Sequence, residues 1–260
     1  MALFSEKTKR DIAGLFSSLA FPFIFLGEAG SASPQFFRRK IELFYYLELC
    51  GVKSLPVVVL ISLLMGAIIA LQGALQMRKV GTEIFVIDLV GLAVLKEFGP
   101  LMVAMISTGR AGSAFAAEIG TMKVNEEISA LETMGVNPYG YLVHPKLAAM
   151  LISMPILTVF GDFFGILGGM LVGTGALDIP VAAYWGRSVA VLDGINLLLG
   201  VIKSTVFGIL ITCAGCCCGF SSSGDAQGVG RAATEAVVVS IFLVVVADAA
   251  MTLLYSFIGY

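Results

Sequence analysis

Between Ser54 and Gln76 the chain runs for 23 residues without one charged side chain. A run of that length, wound as a helix, covers the roughly 30 Å hydrocarbon core of a bilayer. Inside that core each backbone N–H and C=O must be satisfied within the protein, so an isolated run of this kind is a helix. Four more apolar runs follow, at about Ile84–Thr108, Leu147–Gly175, Ile195–Cys218 and Ala236–Ile258. The third is long and Gly-rich, which predicts a tilted or bent helix. Only 13% of the 260 residues are charged, about half the usual soluble fraction, and the mean hydropathy is +0.96. The expected fold is an all-α integral membrane protein with five transmembrane helices. The net charge of −2 offers no basic surface for nucleic acid.

The first 53 residues form a separate region ahead of the five-span domain at 54–260. Met1–Asp11 is polar, and the apolar run Leu15–Leu26 is short for a span and interrupted by Pro22. That pattern reads as an interfacial segment, with a cleaved leader as the alternative. Phe36–Lys53 mixes Arg38, Arg39, Lys40, Glu42 and Glu48 with Phe36, Phe37, Phe44, Tyr45 and Tyr46. An amphipathic helix lying in the membrane interface is expected there. The other reading is a solvated helix packed on a soluble partner.

Lysine and arginine orient the chain. With the N-terminus inside, eleven basic residues fall on the cytoplasmic side and three, Arg78, Lys79 and Arg187, fall outside. The positive-inside rule therefore puts the N-terminus in the cytoplasm and the C-terminus outside. Met77–Glu83 is then a short outer turn. Asp178–Gly194 is an outer segment with a short interfacial helix. Gly109–Lys146 is a long inner connection, and Gly219–Glu235 is a Ser/Gly-rich inner loop.

Two features of the second span and the connection after it stand out. Lys96 and Glu97 lie midway along the span, where an unpaired charge costs about 3 kcal/mol. Each must face a cavity or a partner; a buried ion pair is the structural alternative. Further on, Met122, Ile128, Leu131 and Met134 can share one helical face, with Glu126, Glu127 and Glu132 around the rest. Gly135, Asn137 and Pro138 stop that helix. An acidic amphipathic helix in this position either docks a partner or is a plain surface helix.

The stretch GRAGSAFAAEIGTMKVNEEISALETMGVNP, preceded by KEFGP, strongly resembles the MlaE/YrbE family of ABC-transporter permeases. The resemblance extends to Leu71–Gly73, Ile202–Ser204, the GVGRAATEAVV stretch from Gly228, and Asp248–Thr252. It implies a homodimer of five-span subunits in the bacterial inner membrane, with an N-terminal interfacial helix. It implies a coupling helix, Met122–Met134, seated in a cytoplasmic ABC ATPase, which carries ATP and Mg and can bear a small accessory subunit. It implies a periplasmic hexameric ring of MCE-domain protein, and phospholipid held in a cavity between the two permease subunits. Relatives move phospholipid between inner and outer membranes and so maintain outer-membrane lipid asymmetry. The positions matching the family's lipid site are Ile69, Gln76, Met77, Val80, Lys96 and Glu97. Other members carry Arg in place of Lys96, which loses the planar fork of guanidinium, and aliphatic or aromatic residues in place of Gln76 and Val80.

The residues agree with this division of labour. These 260 residues contain no G-x-x-x-x-G-K-[ST] phosphate loop, so hydrolysis belongs to a partner. No catalytic constellation and no metal site is expected. Lys203 and Asp248 are expected to pair and fix helix register, and Asp162 to act likewise. His144, before Pro145, reads as structural. Met65, Met102, Met105, Met150, Met154 and Met170 read as adaptable packing. Cys213, Cys216, Cys217 and Cys218 contain a C-x-x-C spacing, but consecutive helical residues diverge in direction, so packing is the reading over metal or redox chemistry, as it is for Cys50. The alternative function is an ion-coupled secondary carrier using Lys96, Glu97, Lys203 and Asp248 as a relay.

Overall fold

Apolar length sets these helices, and local chemistry sets their ends. The computed structural model describes residues 40–222 and 224–259. The expectations for Leu15–Leu26 and for Phe36 to Arg39 lie outside the described residues.

Helix α1, Lys40–Leu47, widens into a π turn at Glu48–Val52. After a turn at Lys53 and Ser54, α2 runs from Leu55 to Met77. Pro56 sits in its first turn, where a missing N–H leaves no bond broken. Two 3-10 turns, Arg78–Val80 and Glu83–Phe85, flank Gly81, whose φ of +73° is left-handed. Then α3 (Val86–Ala93), a π turn (Val94–Phe98), α4 (Gly99–Ser107), a second π turn (Thr108–Gly112) and α5 (Ser113–Val124) form one helical path. Pro100 is a local cause of the first π turn. Its ring crowds the Lys96 carbonyl four residues back, and widening the helix relieves that contact.

Short α6 (Glu127–Thr133) follows. Gly135, at φ +72°, ends it with two bonds, Gly135 N–H to the Glu132 carbonyl and Val136 N–H to the Leu131 carbonyl. That is the paired closure of a Schellman motif. Pro138 then opens α7, Pro138–Ala176, while Asn137 Oδ1 accepts from the Tyr139 N–H at 3.0 Å. The last helices are α8 (Val181–Val191), α9 (Gly194–Phe220) and α10 (Ala226–Ile258). Every regular element among the described residues is helical.

Five paths are long and apolar enough to cross a membrane: Ile41–Met77, Val86–Val124, Pro138–Ala176, Gly194–Phe220 and Ala226–Ile258. The number is the expected one; the ends differ. The supposed connection Gly109–Lys146 is helical as far as Val124, again over Glu127–Thr133, and again from Pro138. The supposed loop Gly219–Glu235 is helical except around Ser221–Asp225. Apolar length measures what lipid covers, whereas a helix continues until its backbone bonding is interrupted.

The described chain forms two compact units. One comprises the described residues 40–48, Ser107–Leu151 and Gly208–Ala247. Phe115, Ile119, Met150 and Ile211 are fully buried in it. Gly215 lies against Gly112 so closely that a Cβ would stand 2.7 Å from the Gly112 carbonyl oxygen. The other comprises Leu49–Ile106, Ile152–Phe207 and Asp248–Tyr260. Its core contains Ala70, Ala74, Val86, Val90, Val94 and Leu177. There α2 meets α7 through glycines: a Cβ on Gly66 would strike the Gly165 carbonyl, and one on Gly168 the Leu63 carbonyl. Small residues at such crossings let helices approach in lipid, where packing rather than hydrophobicity drives association.

Candidate functional site

The second unit carries a closed polar network inside its spans. Lys203, on α9, is 1% exposed. Its ammonium donates to Glu97 Oε2 at 2.8 Å, Asp248 Oδ1 at 2.9 Å and Thr252 Oγ1 at 2.8 Å. An ammonium has three donors, and all three are used. Thr252 Oγ1 also stands 3.0 Å from Glu97 Oε1 and 2.9 Å from the Asp248 carbonyl. Tyr255 lies with its ring 5.9 Å from the ammonium. The expected Lys203–Asp248 pair is therefore present, and Glu97 joins it.

Lys96 stands apart. It is half-buried on the same π turn as Glu97, and no hydrogen bond or ion pair joins it to another described residue. A lone cation within a span is costly unless a mobile partner or water meets it. Ile69 and Met77 pack partly against the cluster that contains Val94, two residues before Lys96. Gln76 is exposed, and the side chain of Val80 lies outside the described residues. So Ile69 and Met77 pack on one apolar cluster, Glu97 belongs to the Lys203 network, and Lys96 has no bonded partner among the described residues.

Asp162 departs from expectation. It is 2% exposed, yet neither carboxyl oxygen has a hydrogen-bond partner among the described residues. It fixes no register through a pair. Its carboxyl instead rests on Gly99, at a distance that a Cβ would forbid.

The expected coupling helix is shorter than Met122–Met134. Asn125 ends α5, and Glu126 adopts φ +60°, a left-handed conformation uncommon outside glycine. Met122 consequently belongs to α5, not to α6. Glu127, Ile128, Leu131 and Glu132 lie on α6, with Glu126 and Met134 at its two caps. Met134 is 68% exposed, while Ile128 and Leu131 are half-buried.

Sequence reasoning missed a second buried network, in the first unit. Lys146, placed in a loop by its charge, is fully buried. It donates to Tyr46 Oη at 2.8 Å, Glu118 Oε1 at 3.1 Å and the Leu142 carbonyl at 3.3 Å. Tyr46 donates to Glu118 at 2.5 Å, and its ring lies 4.5 Å from the ammonium. The available signal was a lysine opening an apolar run, Leu147–Met150. Also missed was Arg187 on α8, whose guanidinium grips Asp88 in two bonds of 2.8 and 2.7 Å. The bond to Asp88 raises its pKa further, so its charge is permanent. Nearby, burial pushes the Tyr184 hydroxyl up to about 12. Cys213, Cys216 and Cys218 are free and buried, as packing predicts. No group of three metal-ligating side chains occurs among the described residues.

Five membrane-length helices with charged residues held inside them define a multi-pass membrane protein. The chain belongs to the MlaE permease family: the profile of that family, Permease MlaE, matches residues 43–254. A probable ABC transporter permease protein of Rickettsia prowazekii is 40% identical over 205 residues, 79% of each chain. The intermembrane phospholipid transport system permease protein MlaE of Haemophilus influenzae is 33% identical over 207 residues, again 79% of each. The chloroplastic protein TRIGALACTOSYLDIACYLGLYCEROL 1 of Arabidopsis thaliana is 32% identical over 78% of this chain and 58% of its own length. The chain is thus an ABC-transporter permease, a membrane subunit of such a system.

Proposed function

We infer that this permease moves phospholipid between the inner and outer membranes and helps to keep the outer membrane asymmetric. The observation that carries the reading is Lys96, a cation within a span with no partner among the described residues. A phosphate head group supplies the missing counter-charge. The Haemophilus relative, named for intermembrane phospholipid transport, supports that choice of cargo. Two copies enclose the lipid, with Ile69, Gln76, Met77 and Val80 lining the acyl region. Glu97 serves chiefly to hold Lys203, and through it the π turn that presents Lys96.

Hydrolysis falls to a cytoplasmic ATPase carrying ATP and Mg, and α6 is its docking helix. Glu127 and Glu132 face the partner, while Ile128 and Leu131 are half-buried and anchor α6 to this chain. A periplasmic MCE-domain ring abuts the outer face. The N-terminus lies in the cytoplasm, and the protein resides in the inner membrane. The ion-coupled carrier has less support: three of its four relay residues are bonded to one another, and the family is one of ABC permeases.

The test is purification of the tagged permease from its native membrane. An ATPase and phospholipid should copurify, and Lys96→Met should lose the phospholipid while keeping the ATPase. Undiminished phospholipid in that variant contradicts the assignment of the head group. Solute movement by the permease alone under an ion gradient would favour the carrier.

A further inference from the structure

Helix α6 is lightly held. None of its residues is fully buried, and Ile128 and Leu131 are only half-buried. A push on α6 therefore reaches the rest of the chain chiefly through its two flanks. Lys123 lies in the last turn of α5, just before it, and Tyr139 lies in the first turn of α7, just after it. Both flanks meet one residue of the first unit, Phe220, the last of α9. The Lys123 ammonium donates to the Phe220 carbonyl at 2.6 Å. The Tyr139 and Phe220 rings lie against each other with centroids 4.6 Å apart. We propose that Phe220, held by Lys123 and Tyr139, is the point at which movement of α6 enters the spans. The proposal rests on the reading of α6 as the helix that docks the ATPase.

The chemistry of the two holds differs. The Phe220 carbonyl is among the last four of α9, which a helix leaves without an internal donor. A lysine satisfies that carbonyl and also meets the negative end of the helix dipole. The ring contact depends on shape rather than on net charge. Salt or a local change that weakens one hold therefore leaves the other standing. The packing beneath them is tight. A Cβ on Gly219 would stand 2.8 Å from the Cβ of Ile119 and 3.0 Å from the Ala116 carbonyl oxygen. One on Gly120 would stand 3.3 Å from Ser222 Oγ. With α5 and the Phe220 end of α9 this close, no slack remains to absorb a displacement between them. Helix α9 is unbroken from Gly194 to Phe220 and also carries Lys203. A displacement at Phe220 is thus a displacement of the helix that holds the Lys203 network. Lys123, Tyr139 and Phe220 are positioning residues, acting through α9.

The test uses the permease–ATPase complex in vesicles with labelled phosphatidylglycerol and the periplasmic partner present. Bound ATPase, ATP hydrolysis and phospholipid transfer are measured on the same samples. Lys123→Met and Tyr139→Ala should each keep the ATPase bound and hydrolysing, and should lower the phospholipid moved per ATP about twofold. The double variant should lower it about tenfold, more than the product of the two, because either hold alone carries part of the load. Lys123→Arg and Tyr139→Phe keep the donor and the ring, and should match the wild type. A merely structural role would lower hydrolysis and transfer in step, through less assembled complex. Unchanged transfer per ATP in the double variant, or a parallel fall in hydrolysis, overturns the proposal. Loss of the ATPase from the double variant also overturns it, by making Lys123 and Tyr139 part of the docking surface itself. The docking reading fails separately, if reversal of Glu127 and Glu132 to Lys leaves the ATPase fully bound.

Discussion

Lys203 Nζ stands 2.8 Å from Glu97 Oε2, and this contact joins α9 to the π turn of the second span. The same ammonium also serves Asp248 and Thr252, so the three bonds form one unit with its cation at the centre.

Removing the centre should cost more than removing a spoke. Lys203→Met leaves two carboxyl groups inside the spans without their cation. Breaking a fully buried pair costs about 3–5 kcal/mol, and solvent reaching Glu97, which is 36% exposed, reduces the expected loss to about 2 kcal/mol. Asp248→Asn should cost less, because the ammonium keeps Glu97 and Thr252. Thermal unfolding in detergent would rank the two; the reverse order contradicts this account of the network.

The glycine crossing gives a sharper contrast. Gly66→Ala and Gly168→Ala each place a methyl group on a backbone carbonyl, which cannot move without the helix. Overpacking of this kind costs about 1–3 kcal/mol. Gly109→Ala meets open space and should be tolerated. Melting temperatures of the three variants decide the point, and equal values for all three would rule out the crossing as a tight constraint.

Docking on α6 predicts a charge dependence confined to that helix. Reversing Glu127 and Glu132 to Lys should weaken copurification of the ATPase about tenfold, given the few kcal/mol that like-charge juxtaposition costs at an interface. Met122→Ala, on α5, should leave it unchanged. Glu126→Gly should also preserve docking, because glycine adopts the left-handed conformation without penalty. Full copurification after the double reversal would move the docking surface elsewhere.

The spans were legible because roughly twenty apolar residues in a row admit one structure in lipid. The Lys203–Asp248 pair was legible for a related reason: two opposite charges inside spans have few other solutions. The break at Asn125 and Glu126 was not, since glutamate is seldom left-handed and the face of Met122, Ile128, Leu131 and Met134 fits an unbroken helix equally well. Nor was the Tyr46–Glu118–Lys146 network, whose lysine and tyrosine are 100 positions apart. Periodicity fixes a face on one helix but not its register against another. Lys146 is not legible either, because a charge reads as a loop marker, whereas its three bonds let it be buried.

Tyr184 provides a pH test. Burial raises its pKa from about 10 to about 12, so the unfolded chain releases this proton first as pH rises. Its contribution to stability is intact below pH 10 and is lost as pH rises through about 12. Tyr184→Phe should be nearly neutral at pH 7, because the hydroxyl has no partner among the described residues. It should also lessen the alkaline loss. An unchanged alkaline profile would remove Tyr184 as its source.

The most direct test of the account is ATP-driven movement of phospholipid by the reconstituted complex. Permease and ATPase are placed in vesicles with a labelled phosphatidylglycerol, and transfer to an acceptor is followed with the periplasmic partner present. The account predicts transfer that requires ATP and falls to background in Lys96→Met, with the ATPase still bound. Transfer that persists in that variant at the wild-type rate, or that proceeds equally without ATP, would contradict it.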